Sequence, residues 1–368
     1  MAEAWRTIRA AARLEFEQLN RARVLVALVV LEAITFLVLV SLFGLTGSRA
    51  PTALVDHDGG PLAKSFVEHL DAAHHSFALR PMRIPRAEEQ ISSGDILAMI
   101  TIPHGFGRRV ASAGTALVPI TVDNVNEDLT GDVREAMPSA VIAFAADNRF
   151  PGVRVVAVEH DLIDHETGYV AYLVVSALAL TAFVVAGILG AVAITREFET
   201  RTVTQWRLAP VPPGLLVVGK LLAASCLAAI AVGAAALIVV AGYGVHPKHP
   251  FAALGALAIC VVIFTSLGAC IGALLRRTLP VAALFFGLAL PFYVDSGALE
   301  PLRFDGEKLW VTGHASPVYS AIGILQWGFH GLRVTPESLP QNVLVLCLWA
   351  VAATLVAAAV LSRRVVQR

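Results

Sequence analysis

The sequence predicts an α-helical polytopic membrane protein with six transmembrane helices and an inserted extracytoplasmic α/β domain. Three observations carry this. Of 368 residues, 57% are hydrophobic and only 15% charged, where soluble globular chains carry about a quarter charged residues. Six apolar runs approach or exceed the roughly 20 residues that a span requires. The long polar stretch after the first run alternates strand-like and helix-like segments, the pattern of a small α/β domain.

In chain order, residues 1–23 place Trp5, Ile8, Ala12, Phe16 and Leu19 on one helical face, with Arg6, Arg9, Arg13 and Glu17 largely elsewhere. Such a segment reads as a cytoplasmic interfacial helix lying along the membrane. Residues 24–45 form the first span, a retained helix rather than a cleaved signal. The insert, 46–168, carries strand-like runs at 52–56, 77–82, 96–102, 117–122 and 153–158. Helix-like stretches stand at 61–73, 86–92, 106–113 and 129–148. Its length, about 120 residues, is enough for a core of its own. Residues 169–368 hold the remaining apolar runs, at 169–194, 214–242, 251–275, 279–294 and 343–361. The run at 279–294 is short and contains Pro291. Residues 314–332 are semi-apolar and too interrupted for a span; a re-entrant or surface helix pair is expected there, since broken backbone at membrane depth must be buried in protein.

Orientation follows from Lys and Arg in the short loops. With the N-terminus inside, thirteen basic residues fall on the inner side, from Arg6 to Arg368, against four outside: Lys248, Arg303, Lys308 and Arg333. Both termini are then cytoplasmic. The formal net charge is zero, which gives no electrostatic case for nucleic acid as a partner. The four cysteines, Cys226, Cys260, Cys270 and Cys347, all lie in apolar runs and read as packing residues. The insert histidines His57, His69, His74, His75 and His104 show neither HxxxH nor HExxH spacing, so no metal ligand is assigned. No catalytic residue is assigned either, because no nucleophile–base constellation has motif context.

The loop at 195–213 is the most informative segment. Glu197 and Glu199 suit the start of a short cytoplasmic helix, and Pro210, Pro212 and Pro213 end it and open the next span. A short charged helix on the cytoplasmic face suits mechanical coupling to a soluble partner; a plain polar hairpin is the alternative. Gly214 to Lys220 fits the spacing of a Walker A loop, but Leu221 stands where a magnesium-ligating Ser or Thr belongs, and no Gly-rich turn presents N–H groups to phosphate. Any ATP must therefore be hydrolysed by another chain.

The loop resembles the coupling segment of ABC-2-type transporter permeases, through Arg196, Glu197, Thr202, Leu208, Pro210, Val211, Gly219 and Lys220. This family often has Gly before the Thr, where this chain has Arg201, and paired Leu where it has Trp206 and Arg207. The insert segments Leu54–Leu62, Ile102–Phe106 and Val122–Asn126 are similar to the subgroup with a large extracytoplasmic domain between the first and second spans. Ala315–Tyr319 resembles the Ser-Pro segment before the last span. The resemblance implies ATPase-coupling roles for Arg196, Glu197, Thr202, Trp206, Leu208 and Pro210. It also implies a second permease half (the same chain or a related one), two copies of a cytoplasmic ABC ATPase that bind the ATP and Mg, export rather than import, and a bacterial cytoplasmic (inner) membrane. No cofactor is expected on this chain.

Two further features bear on function. Glu32 lies inside the first span, where an ionisable group is costly unless paired or wetted; it is a possible intramembrane polar site. Gly187, Gly190, Gly233, Gly268 and Gly272 read as positions of close helix packing. The substrate expected is amphiphilic, lipid-like or drug-like, since its path would run between apolar helices. The alternative function is a membrane-anchored receptor or binding protein acting through its extracytoplasmic domain.

Overall fold

The structure, a computed structural model, describes residues 2–21, 50–73, 77–93, 95–112, 114–124, 127–150, 152, 154–161, 168–203, 205, 211–298, 313–314 and 316–366. These fall into two compact units, one holding a five-stranded sheet and the other the long apolar helices. The first span and Glu32 lie outside the described residues, as do His74 and His75.

The sheet unit follows the predicted alternation closely. Its elements are β1 (Ala50–Asp56), α2 (Pro61–Ala72), β2 (Phe77–Pro81), α3 (Ile84–Ser93), β3 (Ala98–Ile102), α4 (Phe106–Ala111), β4 (Ala116–Val122), α5 (Glu127–Asp147) and β5 (Val155–Asp161); α1 (Ala2–Arg21) precedes them in the chain. Strand order is β2-β1-β3-β4-β5. All neighbours are parallel except β3 and β4. Side chains alternate across a strand, so Leu54 and Ile100 face one side and Ala53 and Val55 the other. The first side meets Phe66 of α2, Phe106 of α4 and Phe144 of α5 in the main core. The second is covered by Ala87 and Ile91 of α3. Three rings tie the main core together, with Phe66 5.4 Å from Phe106 and 5.3 Å from Phe144.

Two insert motifs become intelligible as loop chemistry. The Asp56 carboxylate accepts from the Asp58 and Gly59 N–H groups at 2.9 and 3.0 Å, an Asx turn that lets Gly59 take φ +59°. Asp58 in turn accepts from Gly107 N–H at 3.2 Å. The loop after β1 is thereby fastened to the first turn of α4.

In the helical unit, α6 (Tyr169–Glu199), α7 (Pro213–Gly242), α8 (Pro250–Leu275) and α11 (Leu339–Leu361) are, among the described residues, the helices long and apolar enough to cross a membrane. At 1.5 Å per residue the shortest of them, α11, extends about 35 Å, against a hydrocarbon core of about 30 Å. α9 (Thr278–Val294) has 17 residues and falls short of that length class. α6 is apolar all round and buried along its whole length from Tyr172 to Thr195, the mark of a central helix. α11 is its opposite: Leu344, Leu348, Val351, Leu355 and Val356 stand exposed, an apolar face suited to lipid.

α6 and α8 cross backbone to backbone. A Cβ added at Gly268 would collide with the Gly187 carbonyl, and one at Gly190 with the Thr265 carbonyl; at Gly272 it would lie 2.9 Å from the Ala191 carbonyl. Four of the five glycines read as packing positions therefore serve close contacts. Gly233 does not: nothing lies within 4 Å of its Cβ position.

Within the semi-apolar stretch lies one buried helix, α10 (Pro317–His330), and Gly313 and His314 ahead of it are helical as well. Ser316 caps its start by accepting from Val318 N–H, and Gly331, at φ +75°, ends it. Its 14 residues extend about 21 Å, too short to span. It lies against the N-terminal ends of α8 and α11. Gly328 meets Ala253, Gly323 meets Thr335 and Asn342, and Trp327 stacks on His249 with ring centroids 4.0 Å apart. Buried polar side chains meet here: Gln326 donates to Ser176 at 2.8 Å, and Asn342 to Thr335 at 2.8 Å. His314 and Tyr319 both contact the Glu337 carboxylate, at 2.6 and 2.9 Å. α10 thus closes one end of the helical unit, the end where α7 turns into α8.

Candidate functional site: the junction of α1, α6 and α7

The other end of the helical unit gathers the C-termini of α6, α8 and α11 and the N-termini of α7 and α9. Its apolar floor is Ile194, Val217, Ala269, Cys270, Ala273, Ala357 and Leu361. Above this floor lies a buried ionic cluster. Lys220, in the second turn of α7, directs its Nζ to the Glu15 carboxylate of α1 and to Glu197 Oε1 of α6, the latter at 2.7 Å. The side chains of Lys220, Glu15 and Glu197 are 11%, 2% and 12% exposed. A lone charge buried this deeply costs several kcal/mol; here one ammonium serves two carboxylates. The second Glu197 oxygen accepts from the Thr202 hydroxyl, and Thr202 is 2.8 Å from Thr200 Oγ1.

Two of the resembling motifs, Arg196-Glu197 and Gly219-Lys220, are thus one contact. The glycine has its own role. A Cβ at Gly219 would lie 2.6 Å from Ala11 Cβ and 2.7 Å from the Ile8 carbonyl, so only glycine lets α1 cross α7 closely enough for Glu15 to reach Lys220. The Walker-like run is continuous α7 helix, with its lysine held by carboxylates.

The structure corrects one expectation. The acidic residues Glu197 and Glu199 do not start a loop helix; α6 runs on as one 31-residue helix and ends on them. Acidic groups at a helix C-terminus oppose its dipole, and each is compensated from outside. Glu197 meets Lys220, while Glu199 accepts from Thr278 N–H at 2.7 Å, at the first turn of α9. Its charge therefore does favour a helix start, that of another helix. Glu197 is turned inward, toward Lys220 and Thr202. The α1 face carrying Ile8 and Ala12 lies on α7, and Trp5 and Leu14 are exposed.

Glu15 was missed in the sequence. Its signal was available: Ile8, Ala11, Ala12, Glu15 and Phe16 follow the i, i+3, i+4, i+7, i+8 stripe, with one acid among apolar neighbours. Arg196 has a buried Nη1 with no hydrogen-bond partner among the described residues. Trp206, Leu208 and Pro210 lie outside the described residues.

Arg201 closes α6 at φ +59°. This left-handed geometry explains why glycine is common at this point in proteins the loop resembles. A non-glycine residue there costs about 1–2 kcal/mol. Arg201→Gly is expected to raise stability by about 0.5–1 kcal/mol, read as a higher midpoint in thermal unfolding of the detergent-solubilised chain; an unchanged or lower midpoint would contradict the strained turn.

Among the described residues no group of three or more His, Cys, Asp or Glu side chains could hold a metal ion. Long apolar helices with a lipid-suited face, joined at one end by a buried ionic junction, define a multi-pass membrane protein. Residues 23–359 match the family described as ABC-2 family transporter protein; the chain belongs to this family and is a permease of an ABC transporter. No curated protein matches the chain.

Proposed function

We infer that the chain is the permease half of an ATP-driven exporter, coupled through residues 195–213 to a separate ATPase. The observation that carries this is the Glu15–Lys220–Glu197 cluster. It fastens α1, the end of α6 and the start of α7 into one junction at the base of the loop, so a push on the loop reaches both helices. A receptor working through its α/β unit would make no use of such a junction. In this reading the junction faces the cytoplasm, with both termini, in a bacterial inner membrane. Two copies of an ABC ATPase bind ATP and Mg, and the second permease half is the same chain or a related one. The substrate is amphiphilic, matching a route between apolar helices, and leaves the cytoplasm or inner leaflet.

Affinity purification of the chain from its own host in mild detergent tests this. A stoichiometric ATP-binding subunit with ATPase activity is expected, and Glu197→Ala with Thr202→Ala is expected to reduce its recovery about tenfold or more. A chain that purifies alone, with no ATPase in detergent or nanodiscs, overturns the reading.

A further inference from the structure

The last turn of α6 makes contacts on two opposite faces. Side chains two positions apart on a helix point about 200° apart, so Glu197 and Glu199 leave α6 on opposite sides. Glu197 meets Lys220 of α7. Glu199 meets the turn between α8 and α9, and Thr195, Phe198 and Glu199 make one stripe at i, i+3 and i+4.

The contacts on this second face form a chain. Thr278, the first residue of α9, donates its backbone N–H to Glu199 Oε1 at 2.7 Å and its hydroxyl to Glu199 Oε2 at 3.2 Å. Thr195 Oγ1 stands 2.7 Å from the same hydroxyl. One proton arrangement satisfies every contact: Thr195 donates to Thr278, and Thr278 donates to Glu199. Beside them the Arg276 guanidinium lies over the Phe198 ring, 5.3 Å from its centroid, within cation–π reach.

α9 has no cap of its own. Arg277, the residue before it, makes no side-chain cap hydrogen bond, and Pro280 has no N–H to offer. The first N–H of α9 is instead taken by a carboxylate from another helix, and negative charge is favoured at that end. Deeper in the unit α9 meets α6 again through apolar rings, with Phe285 and Phe183 centroids 5.1 Å apart. Rings can slide past each other. A carboxylate with both oxygens engaged fixes direction as well as distance.

We propose that Glu199 is a positioning residue of the transporter, passing movement of the 195–213 loop from the last turn of α6 to the start of α9. The proposal rests on the coupling reading and extends it. The Lys220 cluster reaches α1 and α7 from one face of α6, and Glu199 reaches α9 from the other. α6 is then a shaft with two outputs.

The test uses the full-length chain with its co-purified ATPase in lipid nanodiscs. Leu279→Cys places a reporter beside the contact, at a residue that is 81% exposed. Maleimide labelling of its peptide is followed by mass spectrometry, with and without ATP and vanadate. In this chain the labelling rate is expected to change about fivefold. Adding Glu199→Ala is expected to leave ATPase recovery and hydrolysis intact and to bring the change below about twofold. Glu199→Gln keeps an oxygen for the Thr278 N–H and should restore most of the response. Thr278→Ala keeps the N–H bond and removes both hydroxyl contacts; it should give an intermediate response, and it decides the question if Glu199→Ala misfolds. An undiminished response in Glu199→Ala, or in Thr278→Ala where Glu199→Ala does not fold, overturns the proposal. So does an unresponsive reporter in the Leu279→Cys chain. ATPase recovery lost together with the response overturns it too, and makes Glu199 part of the ATPase contact. A parent chain that brings down no ATPase overturns the coupling reading itself, and this proposal with it.

Discussion

Replacing Lys220 with Met is expected to destabilise the helical unit by about 3–5 kcal/mol, the usual result of removing one partner from a buried ionic group. The loss exceeds that of an ordinary apolar truncation because two carboxylates, Glu15 and Glu197, are left buried without their shared counter-charge. Thermal unfolding of the detergent-solubilised chain measures it. Adding Glu15→Gln and Glu197→Gln to Lys220→Met removes both stranded charges, and stability is expected to return to within about 1 kcal/mol of the parent, since neutral replacements of a whole buried ionic group are often harmless. The pair of variants separates a structural from a coupling role. If the triple variant is stable yet fails to support ATPase recovery, the charges matter for coupling; if Lys220→Met alone unfolds at the parental temperature, the cluster is not buried as described.

Gly268→Ala is the second large effect, expected at the upper end of the roughly 1–3 kcal/mol seen when a packed interior is overfilled. The added methyl meets the Gly187 carbonyl, and backbone cannot rotate aside as a side chain can. α6 and α8 must separate along their crossing, which also disturbs the Gly190 and Gly272 contacts. Gly233→Ala is the matched control. With no atom within 4 Å of its Cβ position, it is expected to gain about 0.5–1 kcal/mol from the helical preference of alanine. Unfolding midpoints for the two variants should therefore move in opposite directions, and a shared direction would contradict the crossing.

Much of the sheet unit was legible because periodicity switches openly between two and 3.6: Ala98–Ile102 and Ala116–Val122 alternate, whereas Pro61–Ala72 repeats every third or fourth residue. The long apolar helices were legible from length alone. The junction was legible only in part. Gly219 and Lys220 stood out by resemblance, but nothing local says that Lys220 meets Glu197, because the contact depends on two helices meeting at a crossing. Glu197 and Glu199 misled for the same reason. Charge near a helix end is informative only when the helix it serves is known, and Glu199 serves α9 from α6. α10 was obscured by its glycines, Gly323 and Gly328, which break the apolar run yet let Thr335, Asn342 and Ala253 approach the helix.

Glu15 and Lys220 stand 205 positions apart. At a synthesis rate of about 5–20 residues per second, roughly 10–40 s separate the emergence of the acid from that of its base. Through that interval α1 has neither the lysine nor the glycine notch on which it rests. Its docking is therefore a late step in biogenesis, waiting for α7, and a chain arrested before residue 220 would carry α1 undocked. Protease sensitivity at the N-terminus of nascent chains of increasing length should fall only once α7 has entered the membrane.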